Sequence, residues 1–504
     1  MKPILVVGAG PVGLVIAITL RLHGCAVRII DKAEGPRQTS RALGVQARAM
    51  EVLDALDIAA DLAALSNTVG TTATYNERGI IGRLAWQKPD APFPHTYVAP
   101  QTVLEKLLHR RLDELGVAVE WRTEFAGFAQ DPDGVTARFA DDRSDRFEWV
   151  VGADGAHSTV RKAASFGFEE RDTGQNFFLA DIRLDKAPSA DTAMTWLTAE
   201  GPLMLMRIGD ENQWRMFVDV TDAPSSPTSA QELLDERTPG LPSREVVSTQ
   251  WTSDYEVRIG HAQIYRCGRV FIAGDAAHVF PPFGGQGMNT GILDGSNLGW
   301  KLARVVHGLA GSDLLDTYEM ERRRIGAQVI AEVEQRRKSF ALRNWLARML
   351  RDLFFRLITK SKFAQRSVSR AMSQLGQSYR GASWLSEQHD GASRVKAGDR
   401  APDGSWQRER LHREFSPTDF TLLVFGAHPD AERAVQGMAK VLHVGLSSAA
   451  NRSLAKRYEA YDGALVLVRP DGYIGFRGDR RDLHHLQRYM ERFGTVRRPQ
   501  KQTD

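Results

Sequence analysis

The strongest constraint on this chain lies at its start. Residues 3–7 form a short apolar run suited to a buried parallel strand. Gly8-Ala9-Gly10-Pro11-Val12-Gly13 follows at once, and then an apolar helix through Leu14, Ile16, Ile18 and Leu20 that Gly24 closes. Residues 26–30 read as a second strand, ending at Asp31 with Lys32 after it. A strand–helix–strand crossover this short requires an α/β fold with a parallel sheet. Gly8 permits the tight turn, Gly10 lets backbone approach a pyrophosphate, and Gly13 lets the helix pack close to the strand. The helix start offers unpaired N–H groups and a positive dipole end to phosphate. Asp31 stands where an acid accepts hydrogen bonds from a ribose diol. The loop therefore predicts a bound dinucleotide and leaves NAD and FAD open.

The rest of the chain fits a multidomain globular protein. It has 504 residues, 42% of them hydrophobic and 25% charged. Disordered, collagenous and coiled-coil classes are excluded on that composition. Lys and Arg number 66 against 62 Asp and Glu, a net charge of only +4, so no nucleic-acid partner is expected. The basic runs Arg336-Arg337-Lys338 and Arg497-Arg498 read as solvated surface. Cys25 and Cys267 are too few for a disulfide scaffold or a cysteine-rich zinc site and suit a cytoplasmic setting. No histidine–carboxylate spacing suggests a metal. No run approaches the length of a transmembrane helix.

Helical patterns are predicted for residues 45–64, 100–115, 290–307 and 315–338. Strands are predicted at 117–125, 136–139, 147–151 and 270–273, with an extended, aromatic region from 176 to 220. The stretch that opens at Ser339 and closes at Lys362 has helical apolar spacing and a basic polar face. It predicts packing onto a neighbouring domain, with a membrane-surface role as the second reading. The division that follows is a first part of a dinucleotide-binding domain over 1–175 and a mainly substrate-binding sheet domain over 176–268. The second part of the first domain and a helical segment take 269–395, and a C-terminal domain 396–504.

Two later segments narrow the cofactor. Gly152-Ala153-Asp154-Gly155 leads on to Val160-Arg161, and Gly274-Asp275-Ala276-Ala277-His278 runs on through Pro282-Phe283-Gly284-Gly285-Gln286-Gly287-Met288-Asn289. Each reads as an acid at a strand end followed by a flexible turn, and the second leads into a helix start. Taken with the first loop, they resemble the class A single-component flavoprotein monooxygenases, the FAD-dependent aromatic hydroxylases of the para-hydroxybenzoate, phenol and polyketide hydroxylase type. The resemblance implies that the loop from Gly8 to Gly13, with Pro11 and Val12, holds the FAD pyrophosphate, and that Asp31 and Lys32 stand at the adenosine ribose. It assigns Arg41 and Gln101 to cofactor contact, Asp154 to both FAD and NADPH, and Asp275 to the ribityl chain. Gly285, Gly287, Met288 and Asn289 would face the flavin ring, with Pro282 at its reactive side. His278 is expected to be structural. No second glycine-rich loop is seen, so NADPH is preferred over NADH by resemblance alone.

The same resemblance implies hydroxylation of a phenolic or polycyclic aromatic substrate with NAD(P)H and O2 through a flavin C4a-hydroperoxide. No side-chain catalytic group is assigned, because the flavin is the reactive group. Baeyer–Villiger or epoxidising oxygenation, and a non-catalytic flavoprotein that sequesters an aromatic compound, are the rivals. Trp86, Tyr97, Phe178, Met204, Met206, Trp214, Pro282 and Phe283 are the expected pocket wall, although the aromatic strands also suit plain core. The tail from about residue 397 resembles the thioredoxin-like C-terminal domain of the larger aromatic hydroxylases. It contains no cysteine, so its expected role is packing or dimerisation.

Overall fold

The computed structural model describes residues 2–39, 42–186, 192–221, 229–238, 244–281, 283–388, 393–407, 409–435 and 437–494. Its first layer is a six-stranded sheet in the order Arg266–Cys267, Val270–Ile272, Trp149–Gly152, Ile4–Val7, Val27–Ile30, Val119–Glu120. All neighbours run parallel except the edge pair Arg266–Cys267 and Val270–Ile272. Helix Pro11–Leu22 is buried along nearly its whole length, sandwiched between this sheet and helix Gln286–Val306. Three glycines of the latter helix make that approach possible. A Cβ at Gly291, Gly295 or Gly299 would stand 2.6–3.0 Å from Val12, Val15 or Thr19.

The second layer is an eight-stranded platform: His278–Val279, Val246–Ala262, Phe168–Leu184, Gln213–Asp219, Gly201–Arg207, Thr192–Thr198, Thr71–Asn76, Gly79–Ala85. It draws on residues well before 176, and its two longest strands, each 17 residues, begin at Phe168 and Val246. The platform obeys the two-residue period of a pleated strand. Phe178, Trp196, Trp214, Met216 and Val218 share one face and form a closed core with helix Ala230–Arg237. Leu179, Met204, Met206, Phe217 and Trp251 share the opposite face.

The third unit is a five-stranded sheet in which Phe420–Phe425 pairs parallel with Ala439–Val444 and antiparallel with Ala464–Val468. This βαβ-plus-hairpin arrangement is thioredoxin-like. It is fastened to the first unit by buried charge. Arg469 donates to both oxygens of Glu321, at 2.7 and 2.9 Å, and to Asp471. Lys301 Nζ donates to Glu321 at 2.7 Å, and Asn297 bridges Glu321 and Asp471. A second bracket joins Arg400 to Glu51, which also accepts from Arg48.

The stretch from Ser339 to Lys362 divides rather than running as one helix. Asp316–Phe340 ends, the helix is interrupted at 341–344, and Trp345–Lys360 begins with Asn344 as its cap. Its inner face packs on the platform edge: Arg351 donates to the Leu197 carbonyl, and Asp352 accepts from Asn76. Its outer face is open. Among the described residues no helix is long and apolar enough to cross a membrane.

Candidate active site

A single cavity of about 2240 Å³ runs between the nucleotide sheet and the platform, beneath helix Trp345–Lys360. At one end is the glycine loop. Gly8 takes φ +103°, and a Cβ there would stand 2.4 Å from the Ala153 carbonyl oxygen. A Cβ on Gly13 would stand 1.9 Å from the Gly8 oxygen. Gly10 is different: a Cβ there meets nothing within 4 Å and projects into open space along the cavity. Gly8 and Gly13 thus serve the protein's own close packing, and Gly10 leaves room for a ligand. The helix that follows starts with Pro11 and has no side-chain cap and no acid in its first turn, so its free N–H groups face that room.

Asp31 holds the loop in shape. Its carboxylate accepts from the Ala9 N–H at 2.8 Å and from the Ala33 N–H at 2.9 Å, and it still lines the cavity with the exposed Lys32. Gln101 begins helix Gln101–Glu114, lines the same end and donates to Glu105 at 2.6 Å. Glu105 and Arg37, which the sequence reading did not single out, also line the cavity. Burial raises the pKa of Glu105, while Gln101 and Arg37 act against it. Arg37 is a cation on that wall and acts on the carboxyls of both Glu105 and Asp275. Arg41 lies outside the described residues.

Asp154 has another task. Ser158 Oγ donates to it at 2.5 Å, and the N–H groups of Thr159 and Val160 donate at 2.7 and 3.1 Å. Its carboxylate therefore caps the start of Thr159–Ala163 while one side borders the cavity. Arg161 then ties this turn to the next motif, donating to the carbonyls of Ala156 and Ala276 with its guanidinium over Phe168.

The second helix start closes the middle of the cavity. Gly285 caps Gln286–Val306 at φ +63° with no side-chain cap and no acid in the first turn. Gly285, Gly287 and Met288 line the space. Asn289 does not. It is fully buried, donating to the carbonyls of Gly44 and Gly285 and accepting from the Gln46 N–H. Asn289 is thus a clamp that fixes the helix start against residues 44–46. Pro282 lies outside the described residues.

Asp275 sits in the turn Gly274–Ala276 with its carboxylate exposed to the cavity. Surrounding protein raises its pKa, and His278 and Arg37 partly offset that. Beneath it, Asp294 lies 2.6 Å from His278 Nε2 and accepts from Arg322 at 2.7 Å and from the Gly274 N–H at 3.0 Å. All three side chains are fully buried. Burial opposes the Asp294 charge, but His278 and Arg322 hold its carboxyl below the ordinary range. His278 and Asp294 do not line the cavity; they act on Asp275 by their charge, and Asp294 also holds the Gly274 N–H of the turn that carries it.

Of the expected pocket wall, Trp86, Met204 and Met206 line the cavity. Phe178 and Trp214 do not, because strand alternation turns them to the closed face of the platform. Tyr97 packs edge-on against Phe93 and His95 away from the lumen. Phe283 is buried edge-on between Phe177 and Phe340, backing the wall rather than forming it. The wall also includes Leu179, Phe217, Trp251, Leu350, Phe354 and Phe355. Arg336 is a correction of another kind. It is not solvated surface but lines the cavity, and it donates to the Phe283 carbonyl at 3.1 Å. Burial lowers its pKa. Arg337 is likewise held, by Glu334 and Gln175.

A family model described as an FAD binding domain matches residues 1–333, and one described as the aromatic-ring hydroxylase C-terminal domain matches 395–495. The chain belongs to the FAD-dependent aromatic-ring hydroxylases. It is 33% identical to the 6-methylpretetramide 4-monooxygenase of Streptomyces rimosus over 95% of this chain and 91% of that one. The rifampicin monooxygenase of Streptomyces venezuelae is 35% identical over 66% of this chain and 70% of its own. Among solved structures, a ternary complex of aklavinone-11 hydroxylase with FAD and aklavinone aligns over 98% of both chains, with a TM-score of 0.80 and 26% identity.

This hydroxylase is accordingly an FAD-dependent monooxygenase of aromatic substrates, and NAD(P)H and O2 are the co-substrates typical of its family. Relatives named as monooxygenases along nearly its whole length do not favour a flavoprotein that only sequesters its ligand. The open cradle at Gly10 and two uncapped helix starts on one cavity fit FAD. If Asp275 meets the cofactor, Asp275→Ala should lower FAD affinity roughly tenfold or more, the scale of one or two charge-assisted hydrogen bonds. Flavin fluorescence titration of the apoprotein measures it. Unchanged affinity would remove Asp275 from the site.

Proposed function

We propose that this hydroxylase acts on a polycyclic, oxygen-bearing aromatic compound and takes NADPH as its reductant. NADPH rests on the family resemblance alone, while the observation that carries the substrate reading is the cavity. Its volume of about 2240 Å³ exceeds the roughly 300–1,000 Å³ of an ordinary small-molecule pocket. That leaves space for a multi-ring substrate beside the cofactor.

In this reading Gly8, Gly10, Pro11, Val12 and Gly13 shape the pyrophosphate cradle. Asp31, Lys32, Arg37 and Gln101 hold the adenosine end, Asp275 the ribityl hydroxyls, and Gly285, Gly287 and Met288 the ring. Bound there, FAD supplies the redox and dioxygen chemistry. The protein's own residues bind, orient and dry the substrate. Leu179, Phe217 and Trp251 offer a flat apolar floor. Phe355 and Ile358 roof it, with the half-exposed Leu350 and Phe354 at its rim, and a drier interior raises the weight of each polar contact inside. Arg336, a cation in that wall, meets a substrate phenolate or carbonyl oxygen. The relatives named for pretetramide and aklavinone chemistry support the substrate class. The free thiols of Cys25 and Cys267 suit a cytoplasmic setting.

The test is reductant oxidation by the holoenzyme with single-ring phenols and with three- and four-ring phenolic substrates. Multi-ring compounds should stimulate NADPH oxidation most, with NADH slower. Arg336→Ala should raise KM for an oxygen-bearing substrate roughly tenfold or more. Equal stimulation by single-ring phenols, or an unchanged KM, would count against this reading.

A further inference from the structure

Helix Trp345–Lys360 has two faces with opposite partners. The inner face packs on the platform and roofs the cavity. The outer face presents Trp345, Leu346, Met349, Leu353 and Leu357, each 45–71% exposed, together with Leu350 and Phe354 at the cavity rim. At 3.6 residues per turn these seven positions fall within about half of the helix circumference. Phe363, 81% exposed, extends the patch past the helix end. Scattered apolar residues on a surface need no explanation, but a contiguous patch of this size does.

The charge around the patch selects the occupant. Of the eight Lys and Arg between residues 343 and 370, Arg343, Arg348 and Arg351 are paired with Asp219, Glu77 and Asp352, and the other five lie towards the far end of the helix and beyond it. Arg356, Lys360, Lys362, Arg366 and Arg370 are exposed. A second copy docked symmetrically on this face would set one basic face against another, with no acidic counterpart on either. An anionic bilayer matches both features: the apolar arc enters the headgroup boundary, and the cations meet the phosphates.

We propose that this face is a membrane-surface docking site for anionic lipid, with Trp345–Lys360 lying in the plane of the interface. The docked face borders the cavity mouth at Leu350 and Phe354, so an apolar aromatic compound dissolved in the bilayer would meet the cavity without crossing water. Docking itself stands on the patch and its charge alone, independently of the substrate.

Co-sedimentation of the full holoenzyme with vesicles tests it. The protein should pellet with phosphatidylcholine vesicles containing phosphatidylglycerol, far less with pure phosphatidylcholine, and less as salt rises. The double variant Leu353→Glu, Leu357→Glu changes only outward side chains away from the cavity wall. It should weaken anionic-vesicle binding roughly tenfold or more, with FAD occupancy unchanged as the check on folding. No pelleting of the wild type with anionic vesicles, or equal pelleting of the double variant, would overturn the proposal. So would light scattering that shows a dimer dissociated by the same variant, which would make the face a contact between copies.

Discussion

Gly10→Val is expected to abolish FAD binding while the apoprotein folds normally. The distinction comes from what each loop glycine faces. Side chains at Gly8 or Gly13 would strike backbone oxygens at 2.4 and 1.9 Å, so alanine there destabilises the protein with or without ligand. At Gly10 nothing lies within 4 Å of an added Cβ, so valine is accommodated until the pyrophosphate arrives. Two added methyl groups in the space of a phosphate should lower FAD affinity by at least about 100-fold, or about 2.7 kcal/mol. Flavin titration gives the affinity, and thermal unfolding of the apoprotein gives the control. Normal FAD affinity in Gly10→Val would mean that the cofactor does not lie on this loop.

The second large effect is expected at the junction with the C-terminal unit. Arg469→Ala leaves the fully buried Glu321 and the nearly buried Asp471 short of their shared cation. Removing one partner from a buried network costs roughly 3–5 kcal/mol. Arg433→Ala breaks an exposed pair with Asp430 and should cost less than about 0.5 kcal/mol. The network also predicts a pH dependence. Burial opposes ionisation of Glu321, but Arg469 and Lys301 overcome it and hold its carboxyl well below the ordinary range. A carboxyl depressed in the folded state contributes stability in full above its unfolded pKa of about 4.3, and that contribution is lost as pH falls towards the folded value. Wild-type stability should therefore drop steeply below about pH 4, and Arg469→Ala should show a shallower drop. Limited proteolysis and thermal unfolding across pH 3–7 read both. Equal acid profiles would show that the network does not fasten the two units.

Much of the site was legible because its machinery is local. The turn, helix start and terminal acid around Gly8 to Asp31 lie within one crossover, and the motifs at Asp154 and Asp275 carry their own turns. What escaped depends on pairing between distant segments. Phe178 and Met204 look alike in sequence, and which one faces the cavity is fixed by the parity of the strands beside them. The strand Val246–Ala262 carries its own signal late in its length, where Tyr255, Val257 and Ile259 alternate with Glu256 and Arg258. The strands of residues 71–85 join the platform through a parallel pairing with Thr192–Thr198, which no local pattern announces. The side chains of Asn289 and Asp154 have protein partners that the motifs do not announce, the carbonyls of Gly44 and Gly285 for one and Ser158 with the start of the next helix for the other, although Asp154 still borders the cavity. Arg336 stood in a basic run that resembles solvated surface, and only the tertiary fold turns it inward. The apolar spacing of Trp345–Lys360 was visible, but not that one helix would roof a cavity on one side and lie bare on the other.

The most direct test of the account is a single turnover series with the FAD-loaded protein, NADPH and a multi-ring phenol under isotopically labelled dioxygen. Mass spectrometry of the product should show one labelled oxygen as a new ring hydroxyl, with NADPH consumed in equal amount. A product whose new oxygen comes from water, or NADPH consumed with no oxygenated product from any aromatic compound that binds, would contradict it.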